Sequence, residues 1–300
     1  MNDAAAKQKL LLPLLCGLFL SVAVLSSVVG EMPRGTPRGL AAVAPAVSEP
    51  ALSAEAYIVR FAGDTTPLLG RRIDKPTAPA SLTKLMTAAV AAEKLSAADT
   101  GVLSAYAKEV EERRSPAKTG EEFSRDDLLR LSLVMSANDA ALALAERVGE
   151  YASAFSSPER AAAFVRLMNA KARILGMEET HFENPTGLDA PGHLSTANDL
   201  ARLAEYILRR HPRLWEMTRA EEVPVTALNH AVYTIATSND LLREFPALIG
   251  GKTGLTDHAK EALLLLYPVA PNRTAIIVIL RSEDRFGDGR KIIHWLEENF

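Results

Sequence analysis

The sequence predicts an α+β fold in which helices flank an antiparallel sheet and a large helical insertion separates the first strand from the others. Residues 56–61 (AYIVRF) form a short apolar run that is typical of a strand. Apolar residues at helical spacing fill the middle of the chain, and three short apolar runs bounded by turn residues follow near its end. A sheet built from one early strand and three late strands accounts for this order.

The individual elements follow from caps, breakers and periodicity. The late strands are predicted over 247–255, 261–267 and 274–281. Phe164, Met168 and Leu175 recur at helical spacing and are predicted to pack in the core. The helices are predicted from Ser81, after Pro76 and Pro79; over 128–135, capped by Ser124 and Asp127; over 139–148; over 159–175; from the cap Thr196 and Asp199 to Arg210; and over 287–299.

Composition limits the classes of function. The 34 Lys and Arg residues nearly balance the 37 Asp and Glu residues, so the net charge is −3, and 48% of the residues are hydrophobic. This balance is typical of a globular chain and excludes nucleic acid as the main partner, because phosphate binding needs a clear basic excess. The one cysteine, Cys16, excludes an intramolecular disulfide and a cysteine zinc site.

The N-terminal region predicts export across a membrane. After a short tail (1–9) that carries Lys7 and Lys9, residues 10–30 form a long run without charge, which predicts a transmembrane anchor or a signal peptide. Residues 31–53 are rich in Pro and Ala and predict a flexible linker. Residues 54–300 then form a single domain, which we expect outside the cytoplasm, anchored to the membrane or secreted.

The sequence motifs of several common catalytic mechanisms are absent. No serine has glycine two residues away on both sides, and no H-E-x-x-H occurs. The six histidines are scattered, so neither a metal nor another cofactor is predicted. Gly251-Lys252-Thr253 does not complete a phosphate loop, because Pro246 occupies the position that requires glycine.

Ser81-Leu82-Thr83-Lys84 offers a nucleophile and a base. Residues i and i+3 at a helix start share a face, so the Lys84 amine can reach the Ser81 hydroxyl and take its proton if burial keeps it neutral. The alternative is a helix cap followed by a solvated lysine. The same spacing recurs at Ser115 and Lys118, but in a polar stretch that no apolar helix follows directly.

Two further motifs complete the set. Ser136-Ala137-Asn138 lies between two predicted helices and offers a hydroxyl and an amide; its alternative is an ordinary helix cap. Lys252-Thr253-Gly254 lies in a predicted strand and offers a cation, a hydroxyl and room for close approach of a ligand; its alternative is an edge-strand lysine.

The three motifs, in this order, resemble those of the penicillin-binding serine acyl-transferases. The surrounding residues narrow the resemblance to D-alanyl-D-alanine carboxypeptidases of low molecular mass, with a β-lactamase/DD-peptidase-like fold. The similar segments are 78–87 (APASLTKLMT), 135–140 (MSANDA), 180–188 (THFENPTGL) and 252–257 (KTGLTD). One departure is Ala259-Lys260, where the family usually has Ala-Gly.

The resemblance implies removal of the terminal D-Ala from peptidoglycan stem peptides through an acyl-enzyme on Ser81, with Lys84 as base. It further implies that β-lactam antibiotics are covalent inhibitors. Ser136 would relay the proton to the leaving group and Asn138 would bind the substrate amide. The substrate-binding group would be Lys252 and Thr253, for the terminal carboxylate, with Gly254 and Leu255, whose backbone N–H would complete an oxyanion site with that of Ser81.

Other functions remain open on the sequence alone. A D,D-endopeptidase acting on cross-links would use the same motifs. A class A β-lactamase would need a Ser-Asp-Asn middle motif, whereas Ala137 occupies its centre here. A catalytically inactive wall-binding protein would be expected to show a broken motif, and all three are intact.

Overall fold

The sheet joins the start of the globular chain to its end, as predicted. The structure, a computed structural model, describes residues 48–152 and 155–300. Strand β1 (Ala56–Phe61) pairs with β2 (Leu69–Arg71) on one side and with β9 (Arg273–Ser282) on the other. Strands β8 (Lys260–Ala270) and β7 (Gly250–Thr256) complete the order β2-β1-β9-β8-β7, antiparallel throughout.

Apolar side chains cover both faces of this sheet. Because successive residues of a strand point to opposite faces, Leu264 and Leu266 join one buried cluster while Leu263 and Leu265 join the other. The first cluster lies against the helical insertion, and the second lies against α8 (Leu241–Glu244) and α9 (Arg285–Asn299). Burial on both faces explains why these strands are nearly continuous apolar runs in the sequence.

The insertion between β2 and β7 carries most of the helices. Besides α8, they are α1 (Thr83–Lys94), α2 (Ala105–Lys108), α3 (Arg125–Leu133), α4 (Asn138–Glu150), α5 (Ser157–Ile174), α6 (Ala197–Arg210) and α7 (Pro212–Met217). Two small two-stranded antiparallel sheets accompany them, β3 (Thr100–Val102) with β4 (Glu122–Ser124), and β5 (Glu222–Thr226) with β6 (Val232–Ala236).

The predicted caps are confirmed. The Ser124 side chain accepts from the backbone N–H of Asp127, and that of Thr196 accepts from Asp199. Ser156 and Glu159 form a full capping box at the start of α5, which the sequence analysis did not single out. Phe164 and Met168 are fully buried, and Leu175 packs at the edge of the same cluster.

The α+β fold is confirmed, with β1 at its predicted bounds, while the late strands differ at their ends. Strand β7 begins at Gly250, so residues 247–249 lie outside it. Strands β3 to β6 were missed because they are short and half exposed, and Pro224 lies within β5. Lys260 opens β8 with φ +56°, a left-handed conformation that glycine adopts more easily, so the departure from Ala-Gly occurs at a strained position.

The predicted tail, the membrane anchor or signal peptide and most of the linker lie outside the described residues. Within residues 48–152 and 155–300, no helix is both long and apolar enough to cross a membrane. The end of the predicted linker is packed: Leu52 is buried against the second core cluster, and the backbone N–H of Ser53 donates to Asp288 at 2.9 Å.

A matched pair of substitutions tests the core of the insertion. Phe164→Ala should lower the free energy of unfolding by about 3–5 kcal/mol, because it leaves a cavity in a fully buried site. Phe155→Ala should change it by less than about 0.5 kcal/mol, because that side chain is 91% exposed. Equal effects in denaturant titrations would contradict this assignment of the core.

Candidate active site

Ser81 lies in a 3-10 turn (Ala80–Leu82) that leads directly into α1. The turn differs slightly from the predicted helix start, since α1 itself begins at Thr83. Ala80 adopts φ +48°, a strained conformation for a residue with a side chain, and directs the chain sharply into the turn. Ser81 is half-buried, whereas Lys84, one turn on, is completely buried, and its Nζ lies 2.8 Å from Ser81 Oγ.

The Lys84 amine has three oxygen neighbours. Besides Ser81 Oγ, these are Asn138 Oδ1 at 2.7 Å and the backbone carbonyl of Thr186 at 2.6 Å. The Asn138 amide is fixed in this orientation because its Nδ2 donates to the carbonyl of Glu111 at 3.0 Å. Two of the three neighbours are therefore pure acceptors, and only the serine hydroxyl can donate.

This set of neighbours can bind either an ammonium, which would donate to all three oxygens, or a neutral amine. A neutral amine has two N–H donors and one lone pair, so it can donate to Asn138 and Thr186 and accept from Ser81. Burial lowers the pKa of Lys84 to about 7, and the positive charge of Arg113 acts in the same direction. Near neutral pH, a substantial fraction of the amine is thus free to take the Ser81 proton.

Ser136 and Lys252 form a second buried pair. Ser136 lies between α3 and α4 with φ +66°, and Lys252 Nζ donates to its Oγ at 2.7 Å and to the carbonyl of Thr253 at 2.8 Å. Burial, followed by the charge of Lys84, holds the pKa of Lys252 well below its usual value. Lys252 lies in a strand, as predicted, and this strand, β7, is at the edge of the sheet; its side chain lies beneath the cleft and does not line it.

Two glycines allow close approach to the Ser81 turn. A Cβ on Gly254 would lie 3.2 Å from the backbone nitrogen of Ser81, and one on Gly187 would lie 2.0 Å from the carbonyl oxygen of Ala80. Gly187 also has φ +88°, which favours glycine. Strand β7 therefore runs beside the amide of Ser81, where the oxyanion site is predicted.

The predicted side chains meet at a cleft of about 330 Å³. Of the predicted residues, those lining it are Ser81, Ser136, Asn138, Thr253, Gly254 and Leu255. Lys84 and Lys252 are buried behind the serines to which they are bonded. The structure thus brings together all eight residues singled out from three distant parts of the sequence, while their individual roles stay predictions.

The cleft also contains residues that the sequence analysis missed, namely Glu112, Arg113, Thr256, Asp257 and Arg285. Arg285 opens α9, and its guanidinium donates to the carbonyl of Gly254 at 3.1 Å. Its Nε is buried without a hydrogen-bond partner among the described residues. Arg113 follows two glutamates in a charged run, and the sequence of that run is the same as expected for a solvated surface segment.

The second Ser-x-x-Lys copy does not form a catalytic pair. Ser115 is buried, and its Oγ donates to Asp139 at 2.7 Å, while Lys118 is exposed.

His193 is buried as well: its Nδ1 accepts from the backbone of Glu183 and its Nε2 bonds to Thr83 Oγ1 at 2.8 Å. Across the described part of the chain, no group of His, Cys, Asp and Glu side chains could hold a metal ion.

The fold and the serine-lysine pair resemble those of the penicillin-binding class of serine enzymes. A family model described as D-alanyl-D-alanine carboxypeptidase matches residues 43–283, and the chain belongs to this family.

Curated relatives agree with this family. The D-alanyl-D-alanine carboxypeptidase DacF of Bacillus subtilis is 31% identical over 65% of this chain and 49% of its own length. The D-alanyl-D-alanine endopeptidase of Pseudomonas aeruginosa is 34% identical over 77% of this chain and 73% of its own length. The chain thus spans between half and three quarters of these relatives.

Solved structures agree with the fold. A D-alanyl-D-alanine carboxypeptidase from Mycobacterium tuberculosis is 27% identical, with a TM-score of 0.72 over 84% of this chain and 94% of that one. The Streptomyces K15 DD-transpeptidase, with a TM-score of 0.75, covers 83% of this chain and 99% of its own at 24% identity, which bears on the fold alone.

The protonation of Lys84 can be measured directly. Titration of the lysine ε-carbons by NMR, with the Lys84 signal identified by its loss in Lys84→Met, should give a pKa of about 7. Arg113→Ala should raise that pKa because it removes a nearby positive charge. Arg114→Ala, at the adjacent position, should leave it unchanged. A Lys84 pKa near 10 would mean that the amine stays protonated at neutral pH.

Proposed function

We propose that this protein is a serine-type D-Ala-D-Ala carboxypeptidase that removes the terminal D-Ala from peptidoglycan stem peptides. The observation that carries the proposal is the Lys84 amine, buried between two pure acceptors and 2.8 Å from the Ser81 hydroxyl. This arrangement activates an alcohol that is otherwise a poor nucleophile. The family of the chain supplies the substrate class.

In the proposed reaction, Ser81 Oγ attacks the carbonyl of the scissile D-Ala-D-Ala bond and its proton passes to Lys84. The developing oxyanion is stabilised by the backbone N–H groups of Ser81 and Leu255. The intermediate collapses with cleavage of the C–N bond, and Ser136, whose hydroxyl is bonded to Lys252, gives its proton to the leaving amine and receives in exchange the proton that Lys84 took from Ser81. Water then hydrolyses the ester and releases the shortened peptide.

Recognition of the terminal carboxylate is assigned to Thr253 and Arg285. Lys252 contributes its positive charge from beneath the cleft. Thr253 and Arg285 line the cleft, whereas Lys252 is buried and bonded to Ser136. A carboxylate in the cleft would pair with the guanidinium in a charge-assisted bond. It would also favour the charged form of Lys252, whose pKa burial otherwise lowers.

A D,D-endopeptidase is the second candidate, because an endopeptidase is the relative that is 34% identical. In a cross-link, the amide that the enzyme cleaves can be formed by the amine of an α-amino acid. That amino acid then carries its own carboxylate beside the cleaved bond. Arg285 could therefore serve either reaction. Digestion of purified cross-linked and uncross-linked muropeptides, followed by mass spectrometry, separates the two: loss of D-Ala alone supports the carboxypeptidase, and separation of cross-linked dimers supports the endopeptidase.

Residues 10–30 are proposed to hold the protein at the outer side of the membrane as an anchor, or to export it as a signal peptide. The run without charge supports this assignment, as does the location of peptidoglycan outside the cytoplasm. Residues 31–53 would act as a linker ahead of the catalytic domain, 54–300. N-terminal sequencing of the mature protein distinguishes an anchor that is kept from a signal peptide that is removed.

The nucleophile can be identified by covalent labelling. We propose that β-lactams acylate Ser81, so a fluorescent penicillin should label the wild-type protein once, on the peptide that contains Ser81. Ser81→Ala should abolish both the label and D-Ala release from a pentapeptide, because the attacking oxygen is removed. Ser115→Ala, in the second Ser-x-x-Lys copy, should keep one label per folded molecule. A label elsewhere would refute the assignment, and rapid loss of the label would favour a β-lactamase.

Arg285 can be tested by comparing two substrates. Arg285→Ala should lower kcat/KM about 10–100-fold for a peptide that ends in a free carboxylate, since one charge-assisted hydrogen bond contributes about 1.5–3 kcal/mol. The same peptide with an amidated end should lose less than about threefold. The control Arg290→Ala, an exposed residue of the same helix paired with Glu244, should change neither value. Equal losses on both substrates would contradict the assignment.

A further inference from the structure

One segment that the sequence analysis singled out enters the reaction described above only through one backbone carbonyl, that of Thr186. Residues 180–188 carry part of the family resemblance, yet none of their side chains lines the cleft. They belong to a loop whose base is closed by an antiparallel bridge between His181 and Leu194. A second contact closes the loop just inside this bridge: the backbone N–H of Glu183 donates to His193 Nδ1 at 3.1 Å.

The Asn184 side chain organises the turn within this loop. Its Oδ1 accepts from the backbone N–H of Thr186 at 3.1 Å, from the Thr186 hydroxyl at 2.9 Å and from the backbone N–H of Gly187 at 2.8 Å. Its Nδ2 donates to the carbonyl of Leu188 at 2.9 Å. One amide thus holds three consecutive residues, and it leaves the Thr186 carbonyl free to face outward from the turn.

The turn contacts the segment that carries Ser81 and Lys84 at three points. The Thr186 carbonyl accepts from Lys84 Nζ at 2.6 Å, and the preceding carbonyl, that of Pro185, accepts from Thr87 Oγ1 at 2.7 Å. Gly187 lies directly against Ala80, the residue before the nucleophile. Lys84 and Thr87 share one face of α1, so the turn is fastened to the helix at the catalytic lysine and at the next residue on that face.

We propose that Asn184 is a positioning residue, which folds residues 184–188 so that the Thr186 carbonyl holds the Lys84 amine with its lone pair toward Ser81. The inference rests on the proposed function. A neutral amine with only Asn138 as acceptor could rotate its lone pair away from the serine. With the carbonyl in place, both N–H groups are occupied, and the third direction is left for proton transfer.

Loss of the turn has a consequence that a merely structural residue would not produce. When the carbonyl moves away, water can enter beside Lys84 and relieve the desolvation that is the largest cause of its lowered pKa. The charged groups that act on Lys84, namely Arg113 and Lys252 on the positive side and Glu112 and Asp139 on the negative side, stay in place, so the amine stays protonated to higher pH. The acid limb of the pH profile for acylation therefore moves upward, in addition to any loss of rate.

The experiment measures the second-order rate constant for acylation by a fluorescent penicillin between pH 5 and 9. For each variant, the rate is expressed per active site. Asn184→Ala should acylate at least about tenfold more slowly at pH 7, with the midpoint of the acid limb shifted up by about one pH unit. Thr87→Val, which removes the bond to Pro185 while preserving shape, should shift the midpoint in the same direction by a smaller amount.

Glu183→Gln is the control, because its exposed side chain lies in the same loop and only its backbone takes part in the closure. It should reproduce the wild-type profile. A wild-type profile in Asn184→Ala would overturn the proposal, and if that variant does not fold, an unshifted profile in Thr87→Val would do so. These failures differ from failure of the proposed function, which would appear as wild-type protein that penicillin does not acylate at any pH.

Discussion

The site depends on the cost of burying a lysine amine. Lys84 is fully enclosed, and its pKa falls from 10.5 to about 7 because a charged ammonium loses its solvation there. A shift of this size corresponds to about 5 kcal/mol of folding free energy at neutral pH, since the unfolded chain keeps the proton that the folded site releases. The surrounding core has to offset that cost, and the benefit is a base beside the nucleophile.

The architecture meets this requirement by enclosing one short turn from several sides. Helix α1 carries the buried Lys84, the start of α4 contributes Asn138, and the loop 184–188 contributes a carbonyl. Strand β7 closes the remaining side, and Gly254 lets it approach the amide of Ser81. The sheet makes this possible because its late strands pair with β1, so the end of the chain is brought back to the helices that carry the nucleophile.

Much of this could be predicted from the sequence, for physical reasons that also explain what was missed. Ser81 and Lys84 are neighbours by helical spacing alone, and the apolar run after them predicts a buried helix. The role of the Thr186 carbonyl could not be predicted, because every residue has one and only the fold decides where it lies. Arg285 was missed for a related reason: its place in the cleft depends on the way α9 packs on the sheet, and no local pattern encodes that packing.

The most direct test of the account is the pH dependence of stability. Below its unfolded pKa the lysine is protonated in the unfolded chain, and above about pH 7 it is neutral in the folded protein. The free energy of unfolding of the wild type, relative to Lys84→Met, should therefore rise by about 1.4 kcal/mol per pH unit between pH 7 and about 10.5. Parallel curves for the two proteins over that range would show that the buried amine keeps its proton, and the proposed base would be lost.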